Sequence, residues 1–270
     1  MNQNFSGDIR DVLFSKIINK SFAAQISVES AGIIAGSKIA YDKLINLELN
    51  VEYLAADGTV VEPGNVIARF KGNAKKITTA EDIIMGSLMK PSGIATAMNR
   101  AVKLAQGKIR IVSGAWKKMP FEMKQSVREA IVVGGGAFRI LDLPFVYLDK
   151  NYIRIFGSIA EALKSAEPLT DSFKVIQLRG EMKSIADETV EAAVNGAQVL
   201  MVDTGEISDV KVANRVLEEL GLRNQKQVAF AGGVKITSIP DYLEQGIDIL
   251  DIGAQIVDAP LLDMKMDVLN

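Results

Sequence analysis

Four cationic side chains in the second half of the chain are candidates for binding an anionic ligand: Lys117, Lys118, Arg139 and Arg179. The lysine pair follows the apolar run 109–112, and Arg179 directly follows the run 175–178. If these runs are parallel strands, such side chains share the edge of the sheet where α/β barrels carry their active sites. A surface lysine pair is otherwise only solvated, so both interpretations stay open.

Two carboxylates follow neighbouring runs of the same kind. Asp203 directly follows the run 199–202, and Glu181 lies just beyond the run 175–178. Carboxylates at strand ends can hold Mg²⁺ when phosphate oxygens complete its shell. Asp203 also precedes a helical run, where aspartate is a common N-cap. The sequence therefore leaves two functions for Asp203, a metal ligand or a helix cap.

Two late runs end in small residues that could expose backbone N–H groups to a phosphate: Ala231, Gly232 and Gly233 after one, Gly253 and Ala254 after the next. Barrels bind phosphate between two such loops, aided by the start of a short helix. Either glycine alone would be an ordinary loop residue. The pair of loops predicts a phosphate site.

Composition excludes several kinds of chemistry. The 270 residues contain no Cys and no His, which rules out disulfides, a thiolate nucleophile and any imidazole base or metal ligand. The net charge of −2 gives no general attraction to nucleic acid or to an anionic membrane. The first residues resemble no signal peptide, and no apolar run is long enough to span a bilayer. We expect a cytoplasmic protein.

The two parts of the chain have different patterns. Short strands are predicted at 24–28, 45–53, 60–61 and 66–70, followed by helical periodicity from 80 to 104 with a break at Pro91. From Lys108 on, β-branched runs alternate with amphipathic segments.

This alternation predicts a parallel sheet that is buried on both faces. We predict strands at 109–112, 145–148, 175–178, 199–202, 228–230 and 249–252. Six such strands favour an α/β barrel, with an open doubly wound sheet as the competing fold. The predicted fold class is α/β.

Several segments occur in the order typical of one enzyme family. They include Ala31–Gly36, the hairpin from Asp57 to Ala68, Ser92–Thr96 and the C-terminal block from Gly253 to Asp263. Ser92–Thr96 and the C-terminal block are the most specific of them. Nearly the whole chain resembles the quinolinate phosphoribosyltransferase family, also called nicotinate-nucleotide pyrophosphorylase (carboxylating).

The resemblance implies an N-terminal α/β sandwich domain over 1–104 and a barrel over 105–258, with the tail 259–270 returning to the first domain. It implies a homodimer or a larger homo-oligomer. It also implies transfer of a phosphoribosyl group from phosphoribosyl pyrophosphate, with Mg²⁺, to a pyridine carboxylate. Positioning and electrostatic stabilisation can supply much of that catalysis.

The sequence departs from the family pattern at the positions expected to bind the base and the pyrophosphate. Lys117 keeps the family's lysine, but Trp116 replaces an arginine. Uncharged residues stand where relatives carry imidazoles: Phe138, Tyr152 and Val257. A lysine of the family pattern survives one position away as Lys150. The end expected to bind the ribose phosphate is retained.

Two hypotheses follow. In the first, the protein is a phosphoribosyltransferase in which Lys117 and Asp203 are catalytic and Asp203 and Glu181 hold Mg²⁺. Its anionic substrate, which carries a phosphate, is bound by the remaining candidates: Lys118, Arg139, Lys150, Arg179 and Glu181. In the second, the same scaffold binds a phosphorylated ligand without turnover or with altered specificity.

Overall fold

A computed structural model describes residues 7–269. Residue contacts divide them into two compact units. Unit 1 contains residues 7–97, 121–134 and 259–269, and unit 2 contains residues 98–120 and 135–258. The boundaries drawn from the sequence stay a prediction. The contact grouping differs from them in that it assigns residues 121–134 to the first unit and residues 98–104 to the second.

Strands and helices alternate through most of the described chain. The strands are β1 (Ser21–Val28), β2 (Gly32–Ile33), β3 (Asn50–Leu54), β4 (Val60–Val61), β5 (Val66–Asn73), β6 (Arg110–Val112), β7 (Phe145–Leu148), β8 (Phe173–Leu178), β9 (Val199–Val202), β10 (Gln227–Phe230), β11 (Ile249–Asp251) and β12 (Met264–Leu269). The α-helices are α1 (Ile9–Leu13), α2 (Ser37–Asn46), α3 (Ala74–Ala105), α4 (Phe121–Val133), α5 (Lys150–Phe156), α6 (Ile159–Ser165), α7 (Ile185–Val194), α8 (Ile207–Glu219), α9 (Ile239–Tyr242) and α10 (Ala254–Val257). Within residues 7–269, no helix is long and apolar enough to cross a membrane.

Unit 1 is built on an antiparallel sheet in the order β12-β1-β5-β3. The C-terminal strand β12 pairs with β1 along its whole length, from Val28 opposite Met264 to Ala23 opposite Leu269. Apolar side chains from the sheet, α2 and the first part of α3 form one buried core that includes Phe70. Burial of this apolar surface is the main force that holds the unit together.

The predicted strand 45–53 is wrong in its first half. Ile45 and Asn46 end helix α2, and the strand begins only at Asn50. Ala40 and Leu44 are fully buried in the core and lie four residues apart, which is the spacing of one helix face. The strand prediction missed this helical period because it joined Ile45 to the alternating apolar residues of 47–51.

The predicted break at Pro91 is also wrong, because the 32-residue helix α3 continues through this proline without interruption. A proline inside a helix removes one backbone hydrogen bond and costs about 3 kcal/mol. Leu88 and Ile94, on either side of Pro91, are fully or almost fully buried, and that burial offsets the cost. Gly36 packs directly against the Ser87 carbonyl, the group that residue 91 would otherwise bond.

The segment Ser92–Thr96 has a structural function within unit 1. The Ser92 hydroxyl accepts a hydrogen bond from the Ala35 N–H (2.9 Å), and the Thr96 hydroxyl accepts one from the Ile33 N–H (2.9 Å). Two side chains one helical turn apart therefore fix the loop after β2 to α3. Gly93 between them contacts the backbone of Pro260, which leaves no room for a side chain.

Unit 2 is built on six parallel strands in the order β6-β11-β10-β9-β8-β7. Five strands that follow one another in the chain, β7 to β11, are neighbours in the sheet. Since each connection steps in the same direction, the connecting helices cover one face and the other face becomes the interior. Alternate residues of the strands fill that interior, including Val175, Met201 and Ile249.

This strand order decides between the two folds that the sequence left open. A doubly wound sheet reverses its strand order near the middle, and this sheet has no such reversal. The sheet curls into a half-barrel, so the predicted α/β barrel class is confirmed and the doubly wound alternative is wrong. All six barrel strands were predicted to within two residues at each end.

Two glycines of α3 provide a matched test of the contact between α3 and Pro260. Gly86→Ala adds a methyl group in open space and should stabilise the protein by about 0.5–1 kcal/mol, because alanine favours the helix. Gly93→Ala drives the same methyl group into the Pro260 carbonyl and should destabilise it by about 1–3 kcal/mol. Urea unfolding of the two variants measures the difference. Equal effects would show that the close approach does not exist.

Candidate active site

Arg179, Glu181 and Asp203 meet at the carboxyl edge of the barrel sheet. The Arg179 Nε donates to Glu181 Oε1 at 2.7 Å, and its Nη1 donates to Asp203 Oδ2 at 3.2 Å. One guanidinium therefore bridges two carboxylates that follow neighbouring strands, β8 and β9. The hydrogen bond from Arg179 holds the pKa of Glu181 below its usual range.

Gln177, in β8, connects this bridge to the next strand. Its side chain is buried, its Nε2 donates to Asp203 Oδ2 at 2.5 Å, and its Oε1 accepts the backbone N–H of Lys150 at 2.7 Å. Asp203 thus receives two donors on the same oxygen, Oδ2. Since Lys150 begins α5 after β7, the amide of Gln177 ties together the ends of β7, β8 and β9.

Glu188 fixes the backbone that carries Arg179. It is buried on α7, and its Oε2 accepts the N–H groups of Arg179 and Gly180, both at 2.9 Å. Ionised oxygen acceptors make backbone hydrogen bonds of this kind stronger than neutral ones. Glu188 is therefore a positioning residue for the loop after β8, and nothing in the sequence pattern marked it.

Lys117 reaches over the interior of the barrel. Its Nζ lies 5.7 Å from the ring centroid of Tyr147, an inward residue of β7. Burial and the nearby charges of Asp203 and Asp251 raise the pKa of the Tyr147 phenol. Tyr147 is therefore near both Lys117 and Asp203, and the two predicted catalytic residues lie at the same edge of the sheet.

Asp251 is a site residue that the sequence analysis missed. It ends β11, and its Oδ1 accepts the backbone N–H of Gly114 at 3.0 Å. Burial is the main reason that its pKa is raised, while Lys117 and Lys118 act in the opposite direction. The signal was available, because Asp251 is a charged residue inside the apolar run 249–252.

The two predicted phosphate loops follow β10 and β11, which pair side by side. Gly232 has φ 108° and its backbone lies against the backbone of Gly205, so no other residue fits there. Gly233 has φ 73°, and no heavy atom of the described chain lies within 4 Å of the position a Cβ would take. Gly253 and Ala254 begin the single-turn helix α10 on the neighbouring strand. The loops are adjacent, and the first has an open face.

Arg139 is not brought to the other candidates. It is exposed, and its guanidinium lies 5.1 Å from the ring centroid of Phe145. Among residues 7–269, its described partners are Phe145, the first residue of β7, and Asp142. Since Phe145 begins β7, these contacts place Arg139 away from the carboxyl edge at which the sequence predicts it, and its function in substrate binding stays a prediction.

The aromatic replacements contact each other. The Trp116 indole N–H donates to the Phe138 carbonyl at 2.8 Å, and the two rings meet edge to face with centroids 6.1 Å apart. The positions that the family resemblance assigns to an arginine and an imidazole are therefore filled by an apolar pair. Tyr152 is exposed on α5, where Asp149 caps the helix.

Asp203 is not a helix cap. Helix α8 begins at Ile207, its N-cap is Glu206, and no side chain makes the cap hydrogen bond. The N-cap interpretation of Asp203 is wrong, because the loop 203–206 places the aspartate before the helix and beside Arg179.

The predicted metal ligands, Asp203 and Glu181, do not fit a Mg²⁺ site held by the protein. Both are already paired with Arg179, and Glu181 also accepts from Arg154 at 2.6 Å. Within residues 7–269, no group of three or more carboxylates could hold a metal ion. Mg²⁺ prefers several oxygen ligands without a competing cation among them.

A cleft beside the bridge extends the site toward α5 and α7. Its walls include Lys150, Arg154, Arg179 and Lys183, with Met182 as an exposed apolar wall. Lys183 pairs with Glu191 at 2.6 Å, and Arg154 pairs with Glu181. The cleft is therefore rich in cations whose charge is largely compensated. It suits a ligand with both an apolar face and an anionic group.

Together, the fold and the site define an α/β-barrel protein whose charged side chains and glycine loops lie at the carboxyl ends of its strands, where such barrels carry their active sites. The family model of the quinolinate phosphoribosyl transferase C-terminal domain matches residues 94–267, and the model of the N-terminal domain matches residues 11–92. The C-terminal match alone covers more than half of the chain. The chain belongs to the quinolinate phosphoribosyl transferase family, as the resemblance indicated.

Known proteins of this kind match along nearly the whole chain. A probable nicotinate-nucleotide pyrophosphorylase (carboxylating) of Archaeoglobus fulgidus is 28% identical over 256 residues, which cover 94% of this chain and 97% of that protein. The solved nicotinate-nucleotide pyrophosphorylase of Francisella tularensis has a TM-score of 0.81 at 24% identity and covers 98% of this chain and 91% of its own. The one from Ehrlichia chaffeensis has a TM-score of 0.84 at 20% identity, with 98% and 93% covered. At these identities the solved structures show the fold alone.

The raised pKa of Asp251 predicts a pH-dependent effect on stability. Its ordinary pKa is 3.8, and the folded protein keeps the proton to a higher pH than the unfolded chain does. The stability associated with the protonated carboxyl is therefore present below the unfolded pKa and is lost as pH rises through the folded pKa. Asp251→Asn stays neutral and keeps an oxygen for the Gly114 N–H. We expect the stability of this variant relative to the wild type to increase as pH rises above 3.8, the ordinary pKa of the carboxyl group.

Urea unfolding at several pH values measures this difference. Asp241→Asn, an exposed position on α9, is the matched control and should show no such trend. A stability difference for Asp251→Asn that does not change with pH would contradict the assignment.

Proposed function

We propose that this protein is a phosphoribosyltransferase that transfers the phosphoribosyl group of phosphoribosyl pyrophosphate to the ring nitrogen of a pyridine carboxylate. The observation that carries the proposal is the match of both domains of one transferase family, in order, over 11–92 and 94–267. The curated relatives that match nearly the whole chain are named for nicotinate-nucleotide pyrophosphorylase activity.

The geometry supports an arrangement in which different residues along the edge of the barrel bind the phosphate, the ribose and the pyrophosphate of the donor. The loops 231–233 and 253–254 would bind the 5-phosphate through backbone N–H groups. Asp203, with Oδ2 occupied by two donors, offers Oδ1 to a ribose hydroxyl. Lys117 would stabilise the negative charge that develops on the leaving pyrophosphate.

The acceptor would occupy the side of the site that is lined by the Trp116 and Phe138 pair. A pyridine ring stacks on apolar and aromatic side chains, and its carboxylate pairs with lysine or arginine. Lys118 and Lys150 are the candidates for that carboxylate. The replacements at Trp116 and Phe138 indicate that fewer charged side chains bind the acceptor here than in relatives.

Further properties belong to the same proposal. Mg²⁺ would enter as part of the phosphoribosyl pyrophosphate complex, bound by its phosphate oxygens. The protein would act as a homodimer or a larger homo-oligomer in the cytoplasm. Light scattering on a sizing column measures the oligomeric state, and a monomer at micromolar concentration would contradict that part.

Pyrophosphate release tests the activity. The protein is incubated with phosphoribosyl pyrophosphate and MgCl₂, and with quinolinate or nicotinate as acceptor. We expect pyrophosphate and a pyridine mononucleotide in equal amounts. Lys117→Met should lower kcat at least about 100-fold, because it removes a charge that stabilises the transition state.

The matched control is Lys211→Met, at an exposed position on the outer helix α8, which should leave the rate unchanged. Absence of pyrophosphate release with both acceptors would sink the proposed reaction. In that case calorimetry with a mononucleotide distinguishes a binding protein on the same fold from a protein that lacks a phosphate site.

A further inference from the structure

The bridge between Asp203, Arg179 and Glu181 has a consequence for metal binding. Arg179 contacts a carboxylate on each side, at 2.7 Å and 3.2 Å, and Gln177 adds a second donor to Asp203 Oδ2. A divalent cation on these two carboxylates would have to displace the guanidinium or lie against it. At 4 Å, two positive charges repel by several kcal/mol at the effective dielectric of a partly buried site.

Arg179 is also fixed in place. Its backbone N–H and that of Gly180 are held by the buried Glu188, and Gly180 has a left-handed φ of 66° with Ile185 packed against it. The side chain of Arg179 is two-thirds buried, with a relative exposure of 33%. The guanidinium therefore starts from a defined backbone position and does not reach the carboxylates as a freely mobile surface group.

We propose that Arg179 is the permanent counter-cation of Asp203 and Glu181, so that this edge of the barrel binds its phosphorylated ligand without a divalent cation coordinated by the protein. The inference rests on the proposed function in that it concerns the same site. In this proposal, Arg179 compensates the charge of Asp203 and fixes the orientation of its carboxylate. Arg179 is therefore not a free anion-binding group.

The arrangement also directs Asp203 towards one kind of ligand group. Both side-chain donors bind Oδ2, so Oδ1 is the oxygen left for a ligand within the described part of the chain. An ionised carboxylate oxygen accepts a hydroxyl hydrogen bond well. That oxygen is available to accept a hydrogen bond directly from a hydroxyl group of the ligand, such as a hydroxyl of a sugar phosphate.

Titration with Mn²⁺ alone, followed by the loss of its free paramagnetic signal, tests the inference. The wild type should show no saturable binding that depends on Asp203. Arg179→Gln removes the charge but keeps a polar side chain, and it should bind Mn²⁺ at least ten-fold more tightly than the wild type. Arg179→Lys keeps the charge and should behave as the wild type.

Two controls isolate the role of Arg179. Arg154→Gln removes the other guanidinium at Glu181 but leaves Asp203 paired, so it should not gain Mn²⁺ binding. The double variant Arg179→Gln with Asp203→Asn should lose whatever the single variant gains. Circular dichroism checks that each variant is folded.

Saturable Mn²⁺ binding to the wild type that Asp203→Asn abolishes would overturn the inference. A folded Arg179→Gln variant that gains no Mn²⁺ binding would overturn it as well. Because the titration uses no phosphoribosyl donor or acceptor, its result is independent of the activity assay. An inactive protein that binds no Mn²⁺ would refute the proposed function and leave Arg179 as the counter-cation.

Discussion

The negative charge at the carboxyl edge of the barrel must be compensated within the chain, because these carboxylates are partly removed from water. The chain has no histidine, so arginine and lysine are the only side chains that can supply positive charge there. Asp203 and Glu181 share the guanidinium of Arg179. Asp251 follows the other route, because burial raises its pKa and favours the protonated form. Both solutions depend on a parallel sheet that brings three strand ends together.

The supporting residues follow from this constraint. Gln177 carries one hydrogen-bond chain from Lys150 to Asp203, and Glu188 holds the loop from which Arg179 projects. Neither side chain would be needed if the carboxylates faced open water. The contact between Trp116 and Phe138 lines one side of the site with uncharged side chains. In the proposed reaction, the site would thus combine the phosphate-binding loops of the family pattern with an acceptor side that is less polar than in that pattern.

Much of the architecture could be predicted from the sequence, because buried parallel strands are continuous apolar runs with functional residues at their ends. The positions of Asp203, Lys117 and the two glycine loops followed from that rule. The pairing of Arg179 could not be predicted, since one guanidinium can face an anionic ligand or two carboxylates with the same sequence. Pro91 was wrongly taken as a break because local propensity does not include the core packed around it. Asp251 was overlooked inside an apolar run.

A double-mutant cycle on Arg179 and Asp203 tests most directly whether this pair sets the charge of the site. The unfolding free energies of Arg179→Met, Asp203→Asn and the double variant are measured in urea at low salt. The charge-balance account predicts a coupling energy of about 1 kcal/mol, which is lowered by added salt because both groups are partly exposed. Coupling between Arg154 and Asp203 should be absent. A coupling below about 0.3 kcal/mol between Arg179 and Asp203 would contradict the account.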